Sequence, residues 1–375
     1  MMIAHLSDTH LGRYSGEDEE REKDHYEALK EAVDKITSDH VKTVIHSGDI
    51  LNKPTVYGTP LKTLVTEFRK LSQAGVRIYF TLGEHDLASY PGTPNPLILD
   101  SVLGMAEYVG DGLMHGDSRL AVFGLPRHPK SSLQTLEHKL VELAQRAKNL
   151  DVLKKILVLH QGITDIHGPA GEIPLSMLPT GFDYYAMGHI HLRNMKKLGR
   201  STLAYPGALH WTKIDDHDEC GYYLVDLSGE EPELSWVKLE SVRPKLVKEV
   251  NEDCLENLVE ELLRREYRKK PLLSLSVKTS ERKNMKALEQ KLFTKYILHG
   301  GGIKQSVSEK SPLDYSQQPD VNREMERLAL EVLKNQQAVN FFLGDFRDLL
   351  MVGSVKEAAE LLWKHYLETA AKNDN

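Results

Sequence analysis

Five short polar segments, each standing where an apolar run ends, constrain this chain more than any other feature: Asp8-Thr9-His10, Gly48-Asp49, Gly83-Glu84-His85-Asp86, His160-Gln161-Gly162 and Gly188-His189-Ile190-His191. The runs before them, residues 2–6, 43–46, 76–80, 156–159 and 184–187, each read as a buried strand closed by a turn. Strands of one sheet that all deliver Asp or His at their C-terminal ends bring those side chains into one crevice, the place where open α/β sheets bind ligands. The five segments together therefore predict a single site.

The residue types say what such a crevice holds. Cys220 and Cys254 lie far apart and form no CxxC pair, so neither a disulfide framework nor a structural zinc site is expected. A carboxylate and imidazole set without thiolates suits manganese, iron or zinc better than calcium or magnesium. In the DxH and HxH segments, alternate residues of an extended chain face the same side, so both ligands of each pair can enter one pocket. Two divalent ions about 3.5–4 Å apart can clamp the attacking and leaving oxygens of a phosphate ester, and a shared carboxylate is their natural bridge.

The motifs Ser7-Asp8-Thr9-His10-Leu11-Gly12, Gly188-His189-Ile190-His191 and Tyr205-Pro206-Gly207 resemble those of the calcineurin-like metallophosphoesterases. Within that superfamily they most resemble the DNA double-strand-break repair nucleases of the Mre-eleven and SbcD type, specifically over residues 1 to 240 and by domain order beyond. The resemblance implies an α/β fold: a four-layer αββα sandwich with a small α+β cap domain and a C-terminal helical partner-binding segment. It implies two Mn²⁺ per subunit, other divalent metals being admissible. Asp8, His10, Asp49 and His191 would hold the first, and Asp49, Glu84, His160 and His189 the second, with Asp49 bridging. His85 would be the general acid and Asp86 would orient its ring. The chain departs from the family at Glu84, where the motif carries Asn, and at Asn52, where some members carry a further His. A carboxylate can only accept hydrogen bonds when ionised, whereas an amide can also donate to phosphate.

Along the chain, strands alternate with amphipathic helices at Glu17–Thr37, Thr59–Ala74 and Leu133–Leu150, and closely spaced strands at Thr202–Tyr205, Tyr222–Leu227 and Leu234–Leu239 suggest a second, antiparallel layer. The expected divisions are a nuclease domain (1–240), a cap (241–310), a linker (311–320, inside a Gly, Ser and Pro stretch from Gly300 to Pro319) and a helical segment (321–375). In the cap, a helix at Asp253–Tyr267, a strand at Leu272–Lys278 and a helix at Met285–Leu298 are expected. Although the whole chain carries −7, residues 241–310 hold 16 Lys and Arg against 10 Asp and Glu. Arg268, Lys269, Lys270, Lys283 and Lys286 are thus candidate contacts to DNA phosphates. Phe341, Phe342, Phe346, Leu349 and Leu350 make the last segment too apolar to stand alone, and the resemblance gives it an SMC-like ATPase partner of the Rad-fifty type.

The expected function is a manganese-dependent DNA exonuclease and endonuclease acting on duplex ends and hairpins, as a homodimer, with any ATP dependence supplied by the partner because the chain has no GxxxxGK[ST] motif. A metal- and DNA-binding scaffold with blunted turnover, and a small-molecule or cyclic-nucleotide phosphodiesterase of the same fold, are the alternatives. No apolar stretch approaches the roughly 20 residues of a membrane span. No leader is visible, and a cytoplasmic, nucleoid-associated location is expected.

Overall fold

Strand β1 (Met2–Leu6) sends Ile3 to one side and Ala4 and Leu6 to the other. The same division runs through β2 (Thr43–His46) and β3 (Arg77–Phe80): Ile45 and Tyr79 share the side of Ile3, while Val44, Ile78 and Phe80 share that of Ala4. Two apolar faces are what a parallel strand covered on both sides requires. Helices α1 (Glu19–Ser38) and α2 (Thr59–Gln73) cover the Ala4 side, α1 with Ala28, Leu29, Ala32, Val33 and Ile36, and α2 with Leu64, Phe68 and Leu71. The computed structural model describes residues 1–14, 18–55, 58–87, 95–102, 104–307, 321–347, 349 and 355–373.

Beyond α3 (Pro96–Val102) and the short β4 (Glu107–Tyr108) and β5 (His115–Gly116) come β6 (Leu120–Leu125), helix α4 (Leu133–Lys148), β7 (Lys154–His160), the one-turn α5 (Thr164–His167), β8 (Tyr184–Gly188), β9 (Asn194–Leu198), β10 (Ser201–Tyr205), β11 (Gly221–Asp226) and β12 (Glu233–Lys238). They form two six-stranded sheets, ordered β12-β11-β1-β2-β3-β4 and β5-β6-β7-β8-β10-β9. Ile3, Ile45 and Tyr79 meet Val122, Ile156, Val158, Tyr184 and Ala186 between the sheets. On the far side α4 lays Leu136, Leu140, Leu143 and Ala147, one helical stripe, against Leu157, Leu159, Tyr185 and Met187. The result is a four-layer αββα sandwich with the carboxyl ends of β1, β2, β3, β7 and β8 at one edge.

The structure corrects the expectation of a separate antiparallel layer after His191. Strand β10 runs parallel to β8 inside the second sheet, whereas β11 pairs antiparallel with β1 in the first and carries β12 outside it. Thr202, Leu203 and Ala204 are buried as a central strand requires. Strand β6, Leu-Ala-Val-Phe-Gly-Leu, is buried throughout and carries no polar alternation to mark it.

A smaller core lies in residues 245–307, where β13 (Lys245–Asn251), β14 (Leu272–Thr279), β15 (Ile297–Leu298) and β16 (Lys304–Val307) form an all-parallel sheet packed by α6 (Leu255–Arg264) and α7 (Lys286–Phe293). The second helix is shorter than expected. Tyr296 is buried with its hydroxyl donating to the Leu262 carbonyl at 2.8 Å, and Ile297 turns into a strand whose amide donates to the Pro271 carbonyl at 2.9 Å. Likewise Lys304–Val307, in the Gly, Ser and Pro stretch where no strand was expected, is a strand, and the linker (311–320) lies outside the described residues.

Contacts divide the chain into Met1–Val307 and Ser308–Asn375. In the second unit, α8 (Val321–Leu333) and α9 (Gln336–Phe341) precede a π-turn, Phe342–Phe346, and a last helix, Val355–Asn373. Phe341 stacks on Phe346 and on His365, at ring distances of 5.5 and 4.0 Å, so part of the aromatic cluster packs within its own unit. Phe342 stays exposed, Leu349 is half-buried, and Leu350 lies outside the described residues. Leu328, Val332, Leu362 and Trp363 are further exposed apolar side chains of this unit.

Candidate metal centre

The loops leaving β1 and β2 are laced together by main-chain bonds: Asp8 N to Gly48 O, His10 N to Asp49 O and Ser47 N to Leu6 O, each 3.0 Å. To make them, Asp8, His10 and Asp49 adopt left-handed φ values of 52°, 49° and 52°, and His189 one of 91°. For residues with a Cβ this costs about 1–2 kcal/mol each and is sustained only where the surroundings over-determine it. Neighbouring glycines make the close approach possible. A Cβ on Gly83 would lie 2.0 Å from Asp49 Oδ1, and one on Gly188 2.2 Å from the Ser47 carbonyl.

Inside this frame the side chains converge. His10 Nε2 lies 3.1 Å from His191 Nε2, and Asp8 Oδ1 lies 4.0 and 3.9 Å from the same two atoms. Asp49 Oδ2 is 3.8 Å from His10 Nε2 and 3.3 Å from His160 Nε2. Three groups of donor atoms fall close enough to share a cation: Asp8 with His10 and His191, His10 with Asp49 and His85, and Asp8 with Asp49 and His160. Asp49 thus belongs to two of them.

The tautomers favour lone pairs pointing inward. His160 donates its Nδ1 proton to the Ser47 carbonyl at 2.7 Å, which leaves Nε2 facing Asp49. His191 turns Nδ1 to Asp216 Oδ2 at 3.4 Å, and that carboxylate is itself fixed by the amides of Thr212 and Lys213 at 2.7 and 2.9 Å. Such a carboxylate behind a histidine sets the ring for metal ligation. Asp8 Oδ1 and His160 Nε2 are buried and make no hydrogen bond. Buried lone pairs aimed at one another are costly unless a proton or a cation stands between them. The residues present therefore fit a divalent ion.

The electrostatics call for positive charge at the same place, which a proton on His160 supplies and a divalent ion would replace. Burial opposes charge on both, but His160 and Asp49 overcome it as a pair: the imidazole is pushed up to about 10 and the carboxylate held well below its usual range. Burial instead lowers His10 and His189, the latter further depressed by His160. His191, although buried, is raised by Asp216 and Asp8.

Glu84 stands apart from these groups. Its Oε2 is 3.9 Å from His189 Nδ1 and 3.5 Å from Arg127 Nε, and the side chain is 45% exposed. His189 turns its other nitrogen to Glu172, 3.5 Å away. His85 sits against His10 with ring centroids 4.8 Å apart. The expected role of Asp86 is corrected: its carboxylate accepts from the amides of Ile50, Leu51 and Gly83 at 3.2, 2.8 and 2.9 Å, while the His85 ring donates Nδ1–H to the Asn52 carbonyl at 3.0 Å. Burial and the charge of Asp49 push Asp86 up to about 7.

Of the expected DNA contacts, Lys269 pairs with Asp24 and Glu27 at 2.8 and 2.5 Å, Lys283 pairs with Glu252, and Lys270 Nζ donates to the Phe293 carbonyl at 3.3 Å. The first two cations are used within the protein. Arg268 and Lys286 remain exposed. Sequence reasoning passed over the cations nearer the site: Arg13, Lys53 and Lys213 line the cleft of about 740 Å³ in which His10, Asp49, His85, His189 and His191 stand. Arg13 stands three residues after His10 and Lys53 four after Asp49, and that nearness to the motifs was the available signal.

A family model described as calcineurin-like phosphoesterase matches residues 1–193. The chain is 31% identical over 261 residues to the DNA double-strand break repair protein Mre11 of Methanocaldococcus jannaschii, covering 67% of this chain and 69% of that one. It is 31% identical over 304 residues to the protein of the same name from Thermoplasma acidophilum, covering 76% and 75%. Against that of Sulfolobus acidocaldarius the identity is 28% over 295 residues, covering 74% and 75%.

Proposed function

The chain belongs to the calcineurin-like phosphoesterases, in the branch of the Mre11-type nucleases, and from that premise we propose that it is a two-metal DNA phosphodiesterase that processes double-strand breaks. The observation that carries this reading is Asp49, whose Oδ2 lies within 4 Å of both His10 and His160 and so can join two cation positions. Asp8, His10, Asp49 and His191 would hold one ion, and Asp49, His160, His189 and Glu84 the other. Manganese suits this donor set. Bound there, the ions supply charge neutralisation at the phosphate and an activated water.

The protein's own groups do the rest. With Nδ1–H fixed on the Asn52 carbonyl, a protonated His85 ring, its Nε2 3.7 Å from Glu84 Oε1, can give its Nε2 proton to the leaving sugar oxygen. Arg13, Lys53 and Lys213 line the cleft and would offset flanking phosphates without reading sequence. For the SMC-like ATPase partner, the support is the exposed apolar side chains of the C-terminal unit, including Phe342, Leu362 and Trp363. A homodimer, DNA ends and hairpins as substrates, and nucleoid association rest on the resemblance of the chain to its relatives.

The test is cleavage of end-labelled linear duplex DNA in manganese, with magnesium alone and His85→Ala as controls. Manganese-dependent cleavage lost with His85 is expected; absence of cleavage at full metal occupancy would sink the reading. One observation favours a second reading, a scaffold with blunted turnover: Glu84 places a carboxylate beside His189, where substrate phosphate must come.

A further inference from the structure

Arg127 has no part in the chemistry assigned to the cleft, yet it is tied to the metal centre from two sides. Its amide donates to the Leu82 carbonyl at 2.9 Å, which anchors it to the end of the segment that carries Glu84. Its side chain is only 11% exposed. One end of the guanidinium pairs through Nη2 with Glu172, while Nε, which makes no hydrogen bond, stands at ion-pair distance from Glu84 Oε2, 3.5 Å. Glu172 is held in turn by Gln161 Nε2 at 2.8 Å and the Gly162 amide at 3.2 Å, and faces His189 Nε2 at 3.5 Å. Glu84 faces the opposite ring nitrogen, Nδ1, at 3.9 Å. Four side chains therefore close a ring, Glu84, Arg127, Glu172 and His189, in which one cation serves two carboxylates.

A carboxylate beside a phosphate site is unfavourable unless its charge is offset, because like charges in a partly desolvated cleft repel. A guanidinium can supply that offset, since it is always charged and its planar fork can engage two acceptors at once. We propose that Arg127 is a positioning residue that makes Glu84 compatible with phosphate binding, holding that carboxylate against itself and away from the incoming anion. This rests on the phosphodiesterase reading and deepens it: the cleft would bind phosphate through a compensated carboxylate. Arg127 acts through Glu84, so its value should depend on what stands at position 84.

The test is a double-mutant cycle on the full chain, with inorganic phosphate titrated calorimetrically into manganese-loaded protein and bound manganese counted by electron paramagnetic resonance. Arg127→Gln is expected to weaken phosphate binding by about fivefold in the native background and by less than about twofold beside Glu84→Asn, as for a partly exposed charge pair. The manganese count should be the same in all four proteins. Arg127→Met, close in length and without the charge, serves if the Gln variant does not fold. Equal loss in both backgrounds would overturn the proposal, since it would mean that Arg127 touches phosphate directly or only braces Glu172. A native protein that binds manganese but no phosphate overturns the phosphodiesterase reading itself, a failure visible before any variant is made.

Discussion

His85 gives its Nδ1 proton to the main-chain carbonyl of Asn52, 3.0 Å away, and so presents Nε2 to the cleft. The bond belongs to the backbone, and removing the Asn52 side chain does not remove it. His85→Ala should lower manganese-dependent cleavage by roughly 10²–10⁴ while leaving bound manganese unchanged, and Asn52→Ala should stay within about threefold of the native rate. Single-turnover cleavage of labelled duplex checks both. A large loss in Asn52→Ala would move the orienting role to its side chain.

Asp86 is a brace between two loops. Its carboxylate gathers the buried amides of Ile50, Leu51 and Gly83, and so ties the segment bearing Asp49 to the one bearing Glu84 and His85. Asp86→Ala leaves three buried donors unpaired, a cost of about 3 kcal/mol or more. The thermal midpoint should fall and cleavage fall with it. Lost cleavage at an unchanged midpoint would instead return Asp86 to the catalytic role that the motif suggested.

How much of this was legible in the sequence depends on the kind of signal. Asp8, His10, Asp49, His160 and His191 could be found because each follows an apolar run closely, so that strand direction alone delivers it to the common edge. Asp216, Glu172 and Arg127 could not, because they support the site from loops whose paths only the packed sandwich defines. The same limit misled the reading of Lys269: a basic cluster looks solvated in sequence, and nothing local shows that Asp24, 245 residues earlier, stands 2.8 Å away. Strands β6 and β16 were missed because the one is apolar throughout and the other sits in a Gly-rich stretch.

Gly83 should tolerate no side chain. A Cβ there would stand 2.0 Å from Asp49 Oδ1 and 2.5 Å from Asp49 N, both in the loop that supplies the bridging carboxylate. Gly83→Ala is expected to weaken manganese binding by roughly 10–100-fold, the range found when support of a ligand is lost. Calorimetric titration reads this directly. Native affinity in a folded Gly83→Ala protein would show that Asp49 does not bridge two ions from its present position.

Glu84→Asn removes a charge that substrate phosphate must approach, and restores a group that can donate as well as accept. With His189 Nδ1 3.9 Å from Oε2, the carboxylate can still contribute to metal binding, so the variant should cleave about threefold to tenfold faster without binding manganese more tightly. Initial rates across a manganese titration separate the two effects. An unchanged or slower rate at saturating metal would mean that the carboxylate does not limit turnover.

Asp24 makes the strongest pH prediction. Fully buried in α1, it accepts from Arg243 Nε and Nη2 at 2.6 and 2.9 Å and lies 2.8 Å from Lys269 Nζ and 3.1 Å from Arg21 Nε, so it fastens the sandwich to the residue two before β13 and to the connection between α6 and β14. Burial raises its pKa, but Arg243, His210 and Lys269 outweigh that and hold it below the ordinary value. A depressed carboxyl stabilises above its unfolded pKa, and the contribution is lost as pH falls through the lower, folded one. Asp24→Asn takes the ionised partner from the buried guanidiniums of Arg21 and Arg243 and should cost about 3 kcal/mol at pH 7. Below about pH 4 the carboxyl of the unfolded chain begins to take up its proton, and the gap between native and variant midpoints should narrow from there until the pH has passed the lower, folded pKa. Urea midpoints measured from pH 7 downward test this, and a gap that stays constant to the lowest pH at which the protein remains folded would show that Asp24 is not the ionised partner of Arg243.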